Sequence, residues 1–151
     1  MTKKERSKQI DYLQIADFEK IVDFLQSIQA DFSEDIPGFE TRYSGVLEGI
    51  IGQLDSNCFG KELYKGIVNK AVWMFYCLIK NHPFFNGNKR VAVLALCDFL
   101  KRNTSELYLD ERNILNDLHN MAIRTSKSKP ENIESIKNYL KRKIRSFIIE
   151  F

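Results

Sequence analysis

Residues 63–103 read LYKGIVNKAVWMFYCLIKNHPFFNGNKRVAVLALCDFLKRN, and the spacing of their apolar side chains decides the fold. Leu63, Ile67, Val68, Ala71, Val72, Phe75, Leu78 and Ile79 recur at three- and four-residue steps, the period of one face of a long helix. That helix must stop at Asn81-His82-Pro83, because proline disfavours helical dihedrals in the residue before it. A further helix starts near Asn88, and its run from Val91 to Cys97 is apolar on every side, which predicts that it is the central buried helix. Asn103 marks its end.

The same period extends outward, and no segment keeps a two-residue alternation, so the expected fold is all-α, a helical bundle around a central buried helix. Phe18, Ile21, Val22, Leu25 and Ile28 form the stripe of a first helix, closed by the loop signal Glu34-Asp35-Ile36-Pro37-Gly38. Val46, Leu47, Ile50, Ile51 and Leu54 indicate a second helix, although Gly45, Gly49 and Gly52 each cost it about 1 kcal/mol relative to alanine. Close packing against a neighbouring helix is the favoured reason for these glycines, ahead of close approach to a ligand. Towards the C-terminus, Asp110 is expected to cap a helix that buries Ile114, Leu115, Leu118 and Met121. Ser128-Lys129-Pro130-Glu131 has the pattern of a capping box opening the last helix.

With 151 residues and 44% hydrophobic content, the chain suits one domain over 1–151, with residues 1–10 as a charged, frayed lead. A net charge of +3 is too small to recruit nucleic acid from anywhere on the surface. Lys137, Lys141, Arg142 and Arg145 of the last helix read as a solvated face. Cys58, Cys77 and Cys97 lack paired short spacings, which argues against a disulfide framework or a zinc site. No apolar run follows the charged start, and none reaches the length of a membrane span, so a cytoplasmic protein with no membrane partner is expected.

The chemistry concentrates at residues 82–90, between the two central helices. Gly87 permits a tight turn, and Gly87, Asn88, Lys89 and Arg90 then bring a helix N-terminus and two cations to one place. Cations there are unfavourable unless an anion arrives, so the four residues describe a nest of donors for a phosphate chain. His82, across the same loop, is either a helix C-terminal cap or a proton acceptor, and its company favours the acceptor. His119, with no phosphate-binding loop near it in sequence, reads as a surface or structural residue. Pro83 fixes the start of the loop and Phe84 anchors it in the core.

His82-Pro83-Phe84-Phe85-Asn86-Gly87-Asn88-Lys89-Arg90 resembles the motif of the Fic/Doc family, matching at every defined position except residue 86. Lys89 and the flanking Leu47-Glu48-Gly49-Ile50-Ile51, Lys70-Ala71 and Phe99-Leu100-Lys101-Arg102-Asn103 are more similar to the Doc branch of death-on-curing toxins. The resemblance spans roughly residues 40–125. It implies that His82 takes a proton from a hydroxyl of a target protein, which attacks a phosphorus of ATP held by Gly87, Asn88, Lys89 and Arg90. Most Fic proteins transfer AMP, whereas Doc toxins transfer the terminal phosphate to a translation elongation factor and are controlled by a separate antitoxin chain. The motif does not choose between these outcomes.

Position 86 is acidic in the family and helps hold Mg2+. Asn86 supplies an oxygen but no charge. The chain then works with magnesium held mostly by substrate phosphates, or binds nucleotide poorly, or has kept the fold as a nucleotide- or protein-binding module. Ser44-Gly45-Val46-Leu47-Glu48-Gly49 also fits the short inhibitory pattern of some Fic proteins, in which the glutamate pairs with the motif arginine, here Arg90. The alternative is that Glu48 is simply an exposed helical residue.

Overall fold

The computed structural model describes residues 9–28, 35–58, 61–62, 64–104 and 111–148. Among these residues six α-helices carry the architecture: α1 (Ile15–Ser27), α2 (Val46–Leu54), α3 (Gly66–Lys80), α4 (Asn88–Asn103), α5 (Glu111–Lys127) and α6 (Ile133–Phe147). A two-residue antiparallel ladder, β1 (Asn57–Cys58) with β2 (Lys61–Glu62), joins α2 to α3. The fold is therefore all-α in its core.

α3 is the hub, and the sequence explains why. Ala71, Val72, Met74, Phe75, Tyr76, Cys77, Leu78 and Ile79 are all buried, so apolar atoms face nearly every direction around the helix. α2, α4, α5 and α6 cover it. α4 was the helix expected at the centre, and here the structure corrects the sequence reading. It packs between α1, α3 and α5 and buries Val91, Ala92, Ala95, Leu96, Phe99 and Leu100, but Val93, Leu94 and Cys97 are only half-buried. A run of seven apolar residues cannot tell full enclosure from a helix with one flank at a cleft.

Two polar devices fix the outer helices. Lys70 is buried, and its ammonium donates to the carbonyl of Leu54 at 2.5 Å, closing the C-terminus of α2 where a cation suits the helix dipole. At the far end of α4, Arg102 binds Asp17 at 2.8 Å and Asp98 at 2.9 Å, tying α1 to α4. Beside it, Asn103 accepts from the Asp11 N–H at 2.8 Å and donates to the Asp11 carbonyl at 2.9 Å. Most of the expected N-terminal lead lies outside the described residues, but by Asp11 the chain is already anchored.

The glycines of α2 are not packing devices. Gly45, Gly49 and Gly52 are exposed, and a Cβ at any of them would meet nothing within 4 Å. Only Gly45, with φ of 79° at the N-cap, uses the freedom of glycine. The expected capping box at Ser128–Glu131 is likewise not formed. The Ser128 hydroxyl turns back and donates to the Thr125 carbonyl at 2.6 Å, and a 3-10 turn over Pro130–Asn132 leads into α6 instead. The cap expected at Asp110 lies outside the described residues. Burial pushes the Cys77 thiol up to about 12, which makes it an inert core group. No helix among the described residues is long and apolar enough to cross a membrane.

Candidate active site

The loop between α3 and α4 reverses the chain in seven residues, and each step has a visible cause. α3 closes with the Asn81 N–H on the Cys77 carbonyl at 2.9 Å. His82 then takes φ of 47°, the one positive φ at a non-glycine among the described residues, a strained conformation that persists only when its surroundings hold it. Phe84 is buried and its ring lies 6.2 Å from that of Phe39. The Pro83 carbonyl accepts from the Tyr43 N–H at 2.9 Å, so the segment around Phe39–Tyr43 straps the loop from outside. Phe85 points outward and meets the Tyr43 ring edge-to-face at 4.6 Å.

Asn88 organises the interior of the loop. Its side-chain oxygen accepts from the Phe84 N–H at 3.0 Å and its amide nitrogen donates to the Phe84 carbonyl at 2.8 Å. These two bonds leave the nitrogen 3.4 Å from His82 Nδ1. That contact is longer than an ordinary hydrogen bond, so it steers the ring without locking its tautomer. Gly87 takes φ of 79° as the N-cap of α4, and a Cβ there would come within 2.7 Å of Ile36 Cδ1. The left-handed backbone calls for glycine at this position, and a larger side chain would also have to push the end of Ile36 aside.

Beyond the loop opens a cleft of about 640 Å³. One wall is His82, Asn86, Gly87, Asn88, Lys89 and Arg90, with Phe85 at its edge. Like any helix, α4 leaves its first N–H groups without intrahelical partners, and here they open beside Lys89 and Arg90. Ile79 and Val93 floor the cleft, and the opposite wall is one face of α5: Leu115, Leu118, His119, Ala122 and Ser126. His119, expected as a surface or structural residue, is exposed and lines this cleft. α5 folds back across α3 and α4, and a residue remote in sequence joins the same cleft as His82. The sequence signal that could have found it is the i, i+3, i+4, i+7 spacing that puts it beside Leu115 and Leu118.

Ser44 and Glu48 do not line this cleft. Glu48 pairs with Arg42 at 2.9 Å, and that hydrogen bond holds its carboxyl below the usual range. The glutamate–Arg90 pairing of the inhibitory pattern is thus replaced by a pair with a nearer arginine, whose guanidinium also stacks over Phe39 at 4.2 Å. Asn86 does face the cleft, half-buried, as a neutral amide. Among the described residues no group of three or more His, Cys, Asp or Glu side chains could hold a metal ion, and none lining the cleft is acidic. The donor set therefore does not fit a magnesium ion gripped by the protein.

A model of the Fic/DOC family matches residues 11–100, from the anchored N-terminal segment through the loop and most of α4. The match begins earlier than the span of roughly 40–125 suggested by the flanking text and stops before α5. The chain is also similar to Toxin Doc of Mycolicibacterium smegmatis, 30% identical over 71 residues that make up 47% of this chain and 55% of that protein. The aligned region thus spans little more than half of the relative's length. No solved structure matches. Since the family match covers more than half of the sequence and contains the whole 82–90 loop, the chain belongs to the Fic/DOC family.

Proposed function

We propose that this chain is a Fic/Doc-type transferase that moves a phosphate or AMP from ATP to a hydroxyl side chain of a target protein, acting in the cytoplasm as the toxin of a toxin–antitoxin pair. The observation that carries the reading is the cleft itself: an exposed imidazole on one side of a short loop, and a helix N-terminus with Lys89 and Arg90 on the other. In that reading the target's hydroxyl oxygen attacks phosphorus as its proton passes to His82. Attack at the γ-phosphorus breaks the β–γ bridge and releases ADP, while attack at the α-phosphorus releases pyrophosphate. The α4 N–H groups and the two cations stabilise the charge that builds on the phosphoryl oxygens, and most of the rate enhancement comes from such positioning. Asn88 is a positioning residue, because its side-chain amide is engaged with Phe84 and the ring of His82. A translation factor is the first target to try, and a small antitoxin chain the first partner.

A second reading is favoured by one observation, the neutral Asn86 in the cleft: a catalytically weakened module that binds nucleotide or a partner protein. Purified protein incubated with labelled ATP and cell lysate separates the two. Transfer of γ-label marks a phosphotransferase and transfer of α-label an AMP transferase. Neither label above a His82→Ala control leaves the binding module.

A further inference from the structure

A magnesium ion is gripped by proteins through one or two carboxylates together with the substrate's own phosphates. This cleft is built on the opposite principle. The family's acidic position is Asn86, and among the described residues the cationic and imidazole side chains lining the cleft are Lys89, Arg90, His82 and His119. His119 is exposed and forms no hydrogen bond or ion pair among the described residues. On its face of α5 the neighbours Leu115, Leu118 and Ala122 are apolar, which leaves His119 and Ser126 as the polar groups of that wall among the described residues. A second cation entering this cleft would meet the like charge of Lys89 and Arg90, whereas a polyanion meets complementary charge from the α4 wall and a hydrogen-bonding imidazole from the α5 wall.

We propose that the cleft binds the polyphosphate of its nucleotide without a protein-held divalent cation, the charge being met by Lys89, Arg90, the α4 N–H groups and the side chain of His119. The inference rests on reading the cleft as a nucleotide site, and it assigns a binding role to a histidine outside the family-matched span. Calorimetric titration of the full chain with ATP and with inorganic tripolyphosphate, once in EDTA and once in excess magnesium, tests it. Affinity in EDTA should equal or exceed that in magnesium. His119→Gln should weaken both ligands roughly tenfold in either buffer, the scale of one charge-assisted hydrogen bond. Asn86→Asp should make ATP binding depend on magnesium. Binding by the native chain only when magnesium is present overturns the inference but leaves the nucleotide reading intact. No binding of either ligand in either buffer overturns both, and unchanged affinity in His119→Gln removes that residue from the site.

Discussion

The two ends of α4 are built alike and loaded differently. At each end an asparagine grips the backbone of a preceding segment through both its N–H and its carbonyl: Asn88 holds Phe84, and Asn103 holds Asp11. At the C-terminal end the cation Arg102 suits the helix dipole and meets Asp17 and Asp98. At the N-terminal end Lys89 and Arg90 oppose the dipole beside a cleft with no acidic residue among those described. One end is closed by ion pairs, and the other sets the exposed Lys89 beside an open helix N-terminus at the cleft, an arrangement that suits an arriving anion.

Breaking the cleft end chemically should have the largest effect. His82→Ala is expected to lower label transfer by about 10²–10⁴-fold, the usual worth of a positioned general base. The exposed position of His82 means that circular dichroism and melting temperature should change little; a large loss of helix would mean that the residue is structural.

The two asparagines sharpen the comparison. Asn88→Ala strands the buried N–H and carbonyl of Phe84, so a loss of about 2–4 kcal/mol is expected in urea titration, together with loss of activity. Asn103→Ala releases a more exposed pair and should cost about 1 kcal/mol while leaving activity intact. Equal effects on activity would erase the distinction between the two ends.

Glycines give a smaller contrast of opposite sign. Gly87→Ala forces a side chain into a left-handed backbone 2.7 Å from Ile36 and should destabilise by about 1–3 kcal/mol. Gly49→Ala, in an exposed helical position with open space around it, should stabilise by up to about 1 kcal/mol. Thermal melts of both variants check the pair.

The smallest effect belongs to the stable end. Burial alone would raise the Asp17 carboxyl, but hydrogen bonds from Arg102 and the Gln14 N–H, with the positive charges of Arg102 and Lys20, hold it below its ordinary value of 3.8. A carboxyl lowered on folding contributes stability that is complete above the unfolded value and is lost as pH falls through the lower folded one. Asp17→Asn should therefore melt slightly lower than the native chain at neutral pH, by about 1 kcal/mol or less, and the two curves should converge below pH 3.8.

What could be read in advance was whatever lies contiguous in the chain. The helix period around Phe75 and the break before Pro83 fix α3, the loop and α4 in register, and the grouping of a helix N-terminus with Lys89 and Arg90 follows because Gly87 to Arg90 are adjacent. Contacts between distant segments left no such trace. Nothing in residues 82–90 announces that Ile36 will fill the space above Gly87, that Tyr43 will strap Pro83, or that α5 will carry His119 across the cleft. The α2 glycines misled for a related reason: glycine leaves the same mark whether a neighbour presses on it or solvent surrounds it. Ser128 had the residue type of a cap, but its hydroxyl found a nearer carbonyl in the turn behind it.

The left-handed backbone at His82 has a mechanical meaning. The chain leaves one rod and bends towards another at that residue, so the imidazole rides on a hinge pin instead of on either rod. Its aim is set by how the two rods are braced, through Phe84 beneath and Tyr43 above, and a change that slackens either brace turns the ring even though it touches no atom of it.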